Sequence, residues 1–194
     1  MISSDKVKEL RERSGISVME CKHVLEEAGG DIERALKMLE SKFGGMASKK
    51  TSRATRDGII EAYIHSNGKL GVLLELHSET DFVARNPAFR ELAHDIVLHI
   101  AAMNPRYRSV EDIPEKIVVE ERAVIEHEVA RLKKPKEVTA QIIEGKLEAR
   151  LSELSLLSQP FVKDPTKTVK GLIDEAVGKF GENIRVGRFA RLEI

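Results

Sequence analysis

The strongest constraint on the fold is that the spacing of apolar residues changes along the chain. Up to about residue 43, apolar residues recur every three or four positions, as on one face of a helix. Between residues 58 and 77 they alternate with polar residues, as in a strand with one buried face. The helical spacing returns after residue 86. This order predicts an α+β fold in which helices pack on a small antiparallel sheet.

Residues 1–43 are predicted to form a three-helix N-terminal module. Gly15 and the pair Gly29-Gly30 mark the ends of two helices, and Ser17 with Glu20 has the spacing of a capping box. The apolar faces of the second and third helices comprise Cys21, Val24, Leu25, Ala28, Ile32, Ala35, Leu36, Leu39 and Phe43. A bundle of about 40 residues is marginally stable by itself.

Cys21 is the only cysteine in the sequence, so neither an internal disulfide nor a thiolate metal cluster can form. This usage fits a reducing, cytoplasmic location. Its place on an apolar helix face predicts a buried thiol rather than a reactive one. The residues after Met1 are polar, and no apolar run approaches the roughly 20 residues of a membrane span. We therefore expect neither secretion nor membrane association.

Residues 44–57 are predicted to be a flexible linker between the module and a core domain at 58–194. The segment begins with two glycines and contains small polar residues together with four basic ones, Lys49, Lys50, Arg53 and Arg56. An alternative interpretation is a basic patch at 49–56 that binds RNA or an acidic partner. The absence of aromatic residues from this segment weakens that alternative.

Three strands are predicted in the core domain. Asn67-Gly68 is a strong signal for a tight turn between strands at 58–66 and 69–77. The alternating apolar residues of these strands are Ile60, Ala62, Ile64, Leu70, Val72, Leu74 and Leu76. The third strand runs from Ile184 to the end, with its apolar residues at even positions and a bulge expected near Arg188 and Phe189.

Helices are predicted around these strands. Asn86 and Pro87 have the residue types of a helix cap and first position. Pro114 and Pro135 bound a charged helix that is expected to end near Lys133 with Leu132 facing inward. That helix and a second one to about residue 158 are predicted to form a helical hairpin at about 115–158. A further helix is expected to end at Gly181.

The residues offer no evidence for an active site. Equal numbers of basic and acidic residues, 32 of each, disfavour a globally basic nucleic-acid binder. His94 and His99 are five positions apart, which is not the i, i+4 spacing of a helical zinc pair. Phosphate-binding glycine loops and the serine nucleophile elbow are also absent. We expect no metal, no cofactor, no catalytic residues and no specific nucleic acid.

The most unusual segment is Ser78–Asn86, which we call the anchor loop. It joins a core strand to a core helix and contains Phe82 and Val83 among charged residues. One interpretation is that both residues fold back on the following helix as a hydrophobic staple, and the residues alone favour it. The other is that Phe82 enters a pocket on a partner protein while Asp81 makes polar contacts.

Several segments of the chain form one recognisable set when they are taken in order. They are Val7-Lys8-Glu9-Leu10-Arg11-Glu12-Arg13-Ser14-Gly15, Met19-Glu20-Cys21-Lys22, the hairpin from Gly58 to Leu76, Gly181-Glu182-Asn183-Ile184 and Arg188-Phe189. The most specific segment is Thr80-Asp81-Phe82-Val83-Ala84-Arg85-Asn86. Together they resemble bacterial elongation factor Ts, the nucleotide exchange factor of elongation factor Tu, and the segment from Thr80 to Asn86 is similar to the signature loop of that family. The resemblance covers nearly the whole chain and implies a ubiquitin-associated-like fold for the N-terminal module.

The resemblance also implies a function and its residues. The partner would be elongation factor Tu, GDP-bound or nucleotide-free, with Val18 and Met19 docking on its GTPase domain. Thr80, Asp81, Phe82 and Val83 would belong to the loop that enters this domain, displaces magnesium and loosens the phosphate loop. The chain would then be an exchange factor in translation elongation and not an enzyme.

The chain has one sheet module, so it resembles the short form of the family, whereas longer members carry a second copy. We therefore expect a homodimer, with an exposed sheet edge or the last strand as its seam. The alternative to the exchange-factor interpretation is an RNA-binding translation factor that uses the basic residues at 49–56.

Overall fold

The computed structural model describes residues 2–132 and 135–194 and confirms the predicted α+β fold. Its helices are α1 (Ser4–Ser14), α2 (Val18–Glu27), α3 (Ile32–Lys50), α4 (Asp81–Ala84), α5 (Pro87–Met103), α6 (Glu115–Ala130), α7 (Lys136–Leu154) and α8 (Val169–Phe180). Its strands are β1 (Asp57–Ile64), β2 (Leu70–Ser78), β3 (Pro160–Phe161), β4 (Asp164–Thr168) and β5 (Arg185–Glu193). The antiparallel sheet has the order β1-β2-β5.

The chain divides into two compact units. The first comprises Met1–Glu61, Leu74–Asp95 and Lys170–Gly187, and the second comprises Ala62–Leu73, Ile96–Val169 and Arg188–Ile194. The predicted division into a module, a linker and a core domain stays a prediction. None of the described helices is both long and apolar enough to cross a membrane.

The three N-terminal helices begin where the sequence predicts, and α1 and α2 also end close to the predicted positions. Ser17 caps α2 by accepting a hydrogen bond from the Glu20 N–H at 3.2 Å, and Asp31 caps α3 by accepting one from the Arg34 N–H at 3.0 Å. Gly15 ends α1 with a left-handed φ of 69° that glycine adopts without strain. The helices share a core that consists of Leu10, Ile16, Cys21, Val24, Leu25, Ala28, Ala35, Leu39 and Phe43.

The third helix was expected to end near Phe43, but it is longer. α3 continues through Gly44 and Gly45 to Lys50, and it buries Ala47 one turn after Phe43. Glycine disfavours a helix by about 1 kcal/mol per residue relative to alanine. Packing offsets this cost, because the Phe43 ring lies against the bare backbone of Gly178 in α8. A flexible tether is therefore wrong for residues 44–50.

The predicted hairpin is confirmed, but the outward faces of its strands are more apolar than expected. Gly68 has a φ of 66° in the turn, and the His65 N–H donates to the Leu70 carbonyl at 2.9 Å. β2 buries Val72, Leu74 and Leu76. Ile60 and Ile64 of β1 are exposed, against the expectation of an inward apolar face. Apolar and polar residues do alternate along β1, but the apolar side chains lie on the solvent-exposed face.

Burial along β5 also departs from the prediction. Ile184 and Val186 are buried, whereas Leu192 and Ile194 at the same parity are exposed. From Phe189 to Arg191 the less exposed residues are odd-numbered. A bulge near Arg188 and Phe189 would produce this change of side, and it stays a prediction.

α6 and α7 contact each other through a small core of Ile125, Val129 and Leu147. Their partly exposed surfaces carry ion pairs such as Arg122 with Glu144 at 2.6 Å, and each such pair contributes little stability. The predicted helix end near Lys133 lies outside the described residues, and α6 ends at Ala130. Leu132 is exposed, so its predicted inward orientation is wrong.

A short hairpin of β3 and β4, which the sequence analysis missed, packs near a buried histidine. His99 is fully buried, and its Nδ1 accepts a hydrogen bond from the Val162 N–H at 3.1 Å. The proton therefore resides on Nε2, which donates to Oε1 of Gln159 at 2.8 Å. Burial lowers the pKa of His99 below its ordinary value of 6.5.

This histidine makes stability depend on pH. Below pH 6.5 the unfolded chain binds a proton at His99 that the folded chain excludes, so stability present above that pH decreases as the pH falls. We expect the free energy of unfolding to decrease more steeply from about pH 7 to about pH 5.5 in the wild type than in His99→Gln. Denaturant titrations at each pH measure this slope. Equal slopes in the wild type and in His99→Gln would contradict the assignment.

Candidate functional site

The anchor loop, Ser78–Asn86, exposes a phenylalanine. Its central residues form the four-residue helix α4, where the sequence analysis expected a loop throughout. Within this turn, Val83 is only 9% exposed and Ala84 is buried, whereas Phe82 is 82% exposed. The staple interpretation is therefore wrong for Phe82, and Val83 supplies the inward contact instead.

The exposure of Phe82 sets it apart from the other phenylalanines. Phe43, Phe89 and Phe161 are buried, and Phe180 and Phe189 are partly buried. Full burial of such a side chain contributes about 1.5–3 kcal/mol. Phe82 does not receive this contribution within the chain, so a pocket on another molecule could supply it.

The base of the anchor loop is held by Glu182, which follows α8. Oε2 of Glu182 accepts hydrogen bonds from the backbone N–H groups of Glu79 and Thr80 at 3.1 and 3.0 Å. Oε1 accepts a third from the Thr80 hydroxyl at 2.6 Å. Both polar donors of Thr80, predicted as a partner contact, are therefore used within the chain. This role of Glu182 is not evident from the sequence, because no local pattern joins positions about a hundred residues apart.

Asn183 connects the same loop to the segment that follows α3. Its backbone N–H donates to Oε1 of Glu79 at 2.6 Å, and its side-chain amide donates to the carbonyls of Arg53 and Thr51 at 2.8 and 3.4 Å. The Arg53 guanidinium lies 3.6 Å from the Glu79 carboxylate. Residues 51 and 53, predicted to belong to a flexible linker, are thus hydrogen-bonded to the loop support.

Asp81 lies beside Phe82 on the exposed side of the loop. Its carboxylate pairs with the Arg85 guanidinium at 3.0 Å, and the two side chains are 46% and 78% exposed, respectively. An exposed pair of this kind is worth about 0–1 kcal/mol, so it can exchange for contacts with a partner at little cost. Asp81 and Phe82 are the two predicted site residues that the loop presents outward.

The N-terminal module exposes its own apolar pair at the start of α2. Val18 is 48% and Met19 76% exposed, although Cys21, Val24 and Leu25 of the same helix are buried. Val18 also lines an open cavity of about 360 Å³ with Ile2, Ser4, Val7, Lys8, Arg11 and Lys22. The predicted burial of Cys21 is confirmed, and this burial raises the pKa of its thiol.

Comparison with known proteins decides the family. A sequence model of the family described as Elongation factor TS matches residues 5–194. The chain belongs to the elongation factor Ts family. This membership supports a role as a translation elongation factor in protein biosynthesis. Among the described residues, no three His, Cys, Asp or Glu side chains converge as metal ligands would.

Individual relatives match over nearly their full length. The chain is 48% identical over 190 residues to elongation factor Ts of Rubrobacter xylanophilus. This alignment covers 98% of this chain and 97% of that protein. It is 47% identical over 193 residues to elongation factor Ts of Pseudothermotoga lettingae, covering 100% of this chain and 98% of that protein. For the Thermodesulfovibrio yellowstonii protein the identity is 49% over 193 residues, with 100% and 96% covered. The resemblance to a short family member is confirmed.

Proposed function

We propose that this chain is a nucleotide exchange factor that binds GDP-bound elongation factor Tu and accelerates the release of GDP. The observation that carries the proposal is the 82% exposed Phe82 on a loop held by internal hydrogen bonds. Fixed loops that present a large apolar side chain are typical anchors of protein interfaces. The chain would act by binding alone, with no covalent step and no cofactor of its own.

The proposed mechanism begins with the insertion of Phe82 into the GTPase domain. Asp81 would leave Arg85 and make polar contacts there. A bound magnesium ion offsets the negative charge of the GDP phosphates, so displacing it and loosening the phosphate loop weakens GDP binding. Linkage requires that GDP and the factor weaken each other's binding equally, so the factor would bind the nucleotide-free partner most tightly.

A second contact is proposed at Val18 and Met19. Both side chains are exposed, and their burial against the GTPase domain would contribute favourable apolar contact. This contact would add affinity, whereas the anchor loop would drive nucleotide release. Val83 belongs to the same loop, and its burial supports a role in holding α4 rather than in direct contact.

The test is the release of fluorescent GDP from purified elongation factor Tu. In the presence of excess unlabelled GDP, a small amount of this protein should accelerate the fluorescence change through many turnovers. Bovine serum albumin at equal mass provides the control for nonspecific effects. An unchanged release rate at saturating protein would refute the proposed function.

We also propose that the chain forms a homodimer through an outer sheet patch, defined as Ile64, Leu73 and Leu192. These side chains are 68%, 53% and 76% exposed. Ile64 reaches over Gly71 of β2, and Gly71 and Leu73 lie on the same face because they are two positions apart. The Ile194 N–H donates to the Lys69 carbonyl at 3.0 Å, which brings the end of β5 beside the start of β2. An apolar sheet face of this kind supports pairing with a second copy.

Leu192→Glu is expected to shift this protein from dimer to monomer, because the charge would be desolvated in the paired sheets. Sedimentation velocity at micromolar concentration measures the change. Leu132→Glu, at a similarly exposed position in the turn after α6, serves as the control and should remain dimeric. A wild-type protein that sediments as a monomer would rule out the dimer.

RNA binding through residues 49–56 is the alternative function. Arg53 lies near Glu79, so part of the basic charge of this segment is offset within the chain. A gel-shift assay with ribosomal RNA fragments at rising salt separates the two functions. Strong salt-sensitive binding without accelerated GDP release would favour the alternative.

A further inference from the structure

We propose that Glu182 is a positioning residue that holds the anchor loop in the conformation that presents Phe82, and that Thr80 acts by binding Glu182 rather than by contacting the partner. This inference rests on the proposed exchange function. It assigns part of the site to a residue 100 positions beyond Phe82 in the sequence.

The start of α4 lacks the hydrogen bond that its first residues would ordinarily make. Thr80 occupies the N-cap position, where a threonine hydroxyl ordinarily accepts a hydrogen bond from an N–H of the first turn. No such bond is made here, and the hydroxyl donates to Glu182 instead. The threonine thus gives up a local contact that would stabilise the helix for one that ties the loop to a distant residue.

The helix α4 is too short to define its own orientation. A helix of four residues has little stability by itself, because nucleation costs more than so few hydrogen bonds return. The direction of Phe82 must therefore be set by contacts with the rest of the chain, which are the inward packing of Val83 and Ala84 and the hydrogen bonds at the ends of the turn. At its N-terminal end these contacts are the three hydrogen bonds to Glu182, and an ionised acceptor makes such bonds stronger.

Asn183 in turn holds Glu182 in place. It bonds both to Glu79 of the loop and to the backbone after α3, so the Glu182-Asn183 pair is held between two segments of the same compact unit. Ser78 adds a further bond through its hydroxyl, which donates to the Thr80 carbonyl at 2.9 Å. A loop fixed before binding loses less conformational freedom in the complex, which increases affinity without any added contact.

Glu182→Ala should therefore slow stimulated GDP release by about tenfold at subsaturating protein, through a higher half-saturating concentration. Glu182→Gln should retain much of the wild-type rate, because its carbonyl oxygen can accept from both N–H groups and its amide can donate to the Thr80 hydroxyl. Thr80→Val should resemble Glu182→Ala in direction with a smaller loss, and Thr80→Ser should resemble the wild type. Glu148→Ala, at an exposed position of α7, is the matched control.

A double-mutant cycle separates positioning from general destabilisation. If Glu182 acts through the loop, Glu182→Ala should slow stimulated GDP release when Phe82 is present. The same change should have little further effect in a protein that already carries Phe82→Ala. An equal slowing in both backgrounds, or none in either, would overturn the inference while leaving the exchange function in place.

Hydrogen–deuterium exchange of the free protein tests the inference without the partner. Amides of residues 79–84 should exchange faster in Glu182→Ala and in Thr80→Val, and unchanged exchange in both would overturn the positioning role. If Phe82→Ala accelerates GDP release from elongation factor Tu as much as the wild type does, the proposed mechanism of nucleotide exchange fails. In that case faster hydrogen–deuterium exchange of residues 79–84 in Glu182→Ala would still support the role of Glu182 in fixing the loop.

Discussion

Replacing Phe82 with alanine is expected to lower the rate of stimulated GDP release by about 30-fold or more, because anchor residues of interfaces contribute about 2 kcal/mol or more. The melting temperature should not fall, since the ring is 82% exposed and has little to lose within the chain. Fluorescent GDP release and thermal unfolding, measured on the same preparation, check both statements.

The control for this change is Val124→Ala, which shortens an exposed apolar side chain on α6. It should leave both the exchange rate and the melting temperature unchanged. A fall of several degrees in Phe82→Ala would mean that Phe82 packs within the chain in solution, which would remove the main support for the anchor.

The same substitution at Phe89 is expected to have the opposite effect. Phe89 is fully buried in α5, and its ring meets that of Phe180 edge-on with the centroids 6.2 Å apart. Truncation to alanine should cost about 3–5 kcal/mol and lower the melting temperature by on the order of 10 °C. Urea titration followed by circular dichroism measures the loss of free energy of unfolding.

Because both variants replace phenylalanine by alanine, each is the chemical control for the other. Phe89→Ala that remains folded should still accelerate GDP release near the wild-type rate below its melting temperature. A loss of stability below about 1 kcal/mol would contradict the packing of Phe89, since cavities of this size are costly.

Local patterns in the sequence were sufficient for most of the secondary structure. Helix caps and tight turns depend on residues within a few positions of each other. Examples are the caps at Ser17 and Asp31, the turn at Asn67-Gly68 and the start of α5. The continuation of α3 to Lys50 was missed because it depends on the contact between Phe43 and Gly178. The composition of residues 44–57 favours a linker. Packing against Gly178, which is far along the chain, favours a longer helix instead.

The candidate site divides in the same way. The sequence singled out Asp81 and Phe82 by their unusual position and by resemblance to a family. The alternation of β1 was evident, but which of its faces is covered depends on where the helices pack. The sequence alone therefore determined most of the helices and the strands of the main sheet, together with their order, because capping, turns and periodicity are local. It also singled out the anchor loop, whereas α4 and the β3–β4 hairpin were not evident from it. The outward direction of Phe82, the role of Thr80 and the support by Glu182 were decided only by the tertiary structure, because hydrogen bonds between residues about a hundred positions apart leave no local pattern.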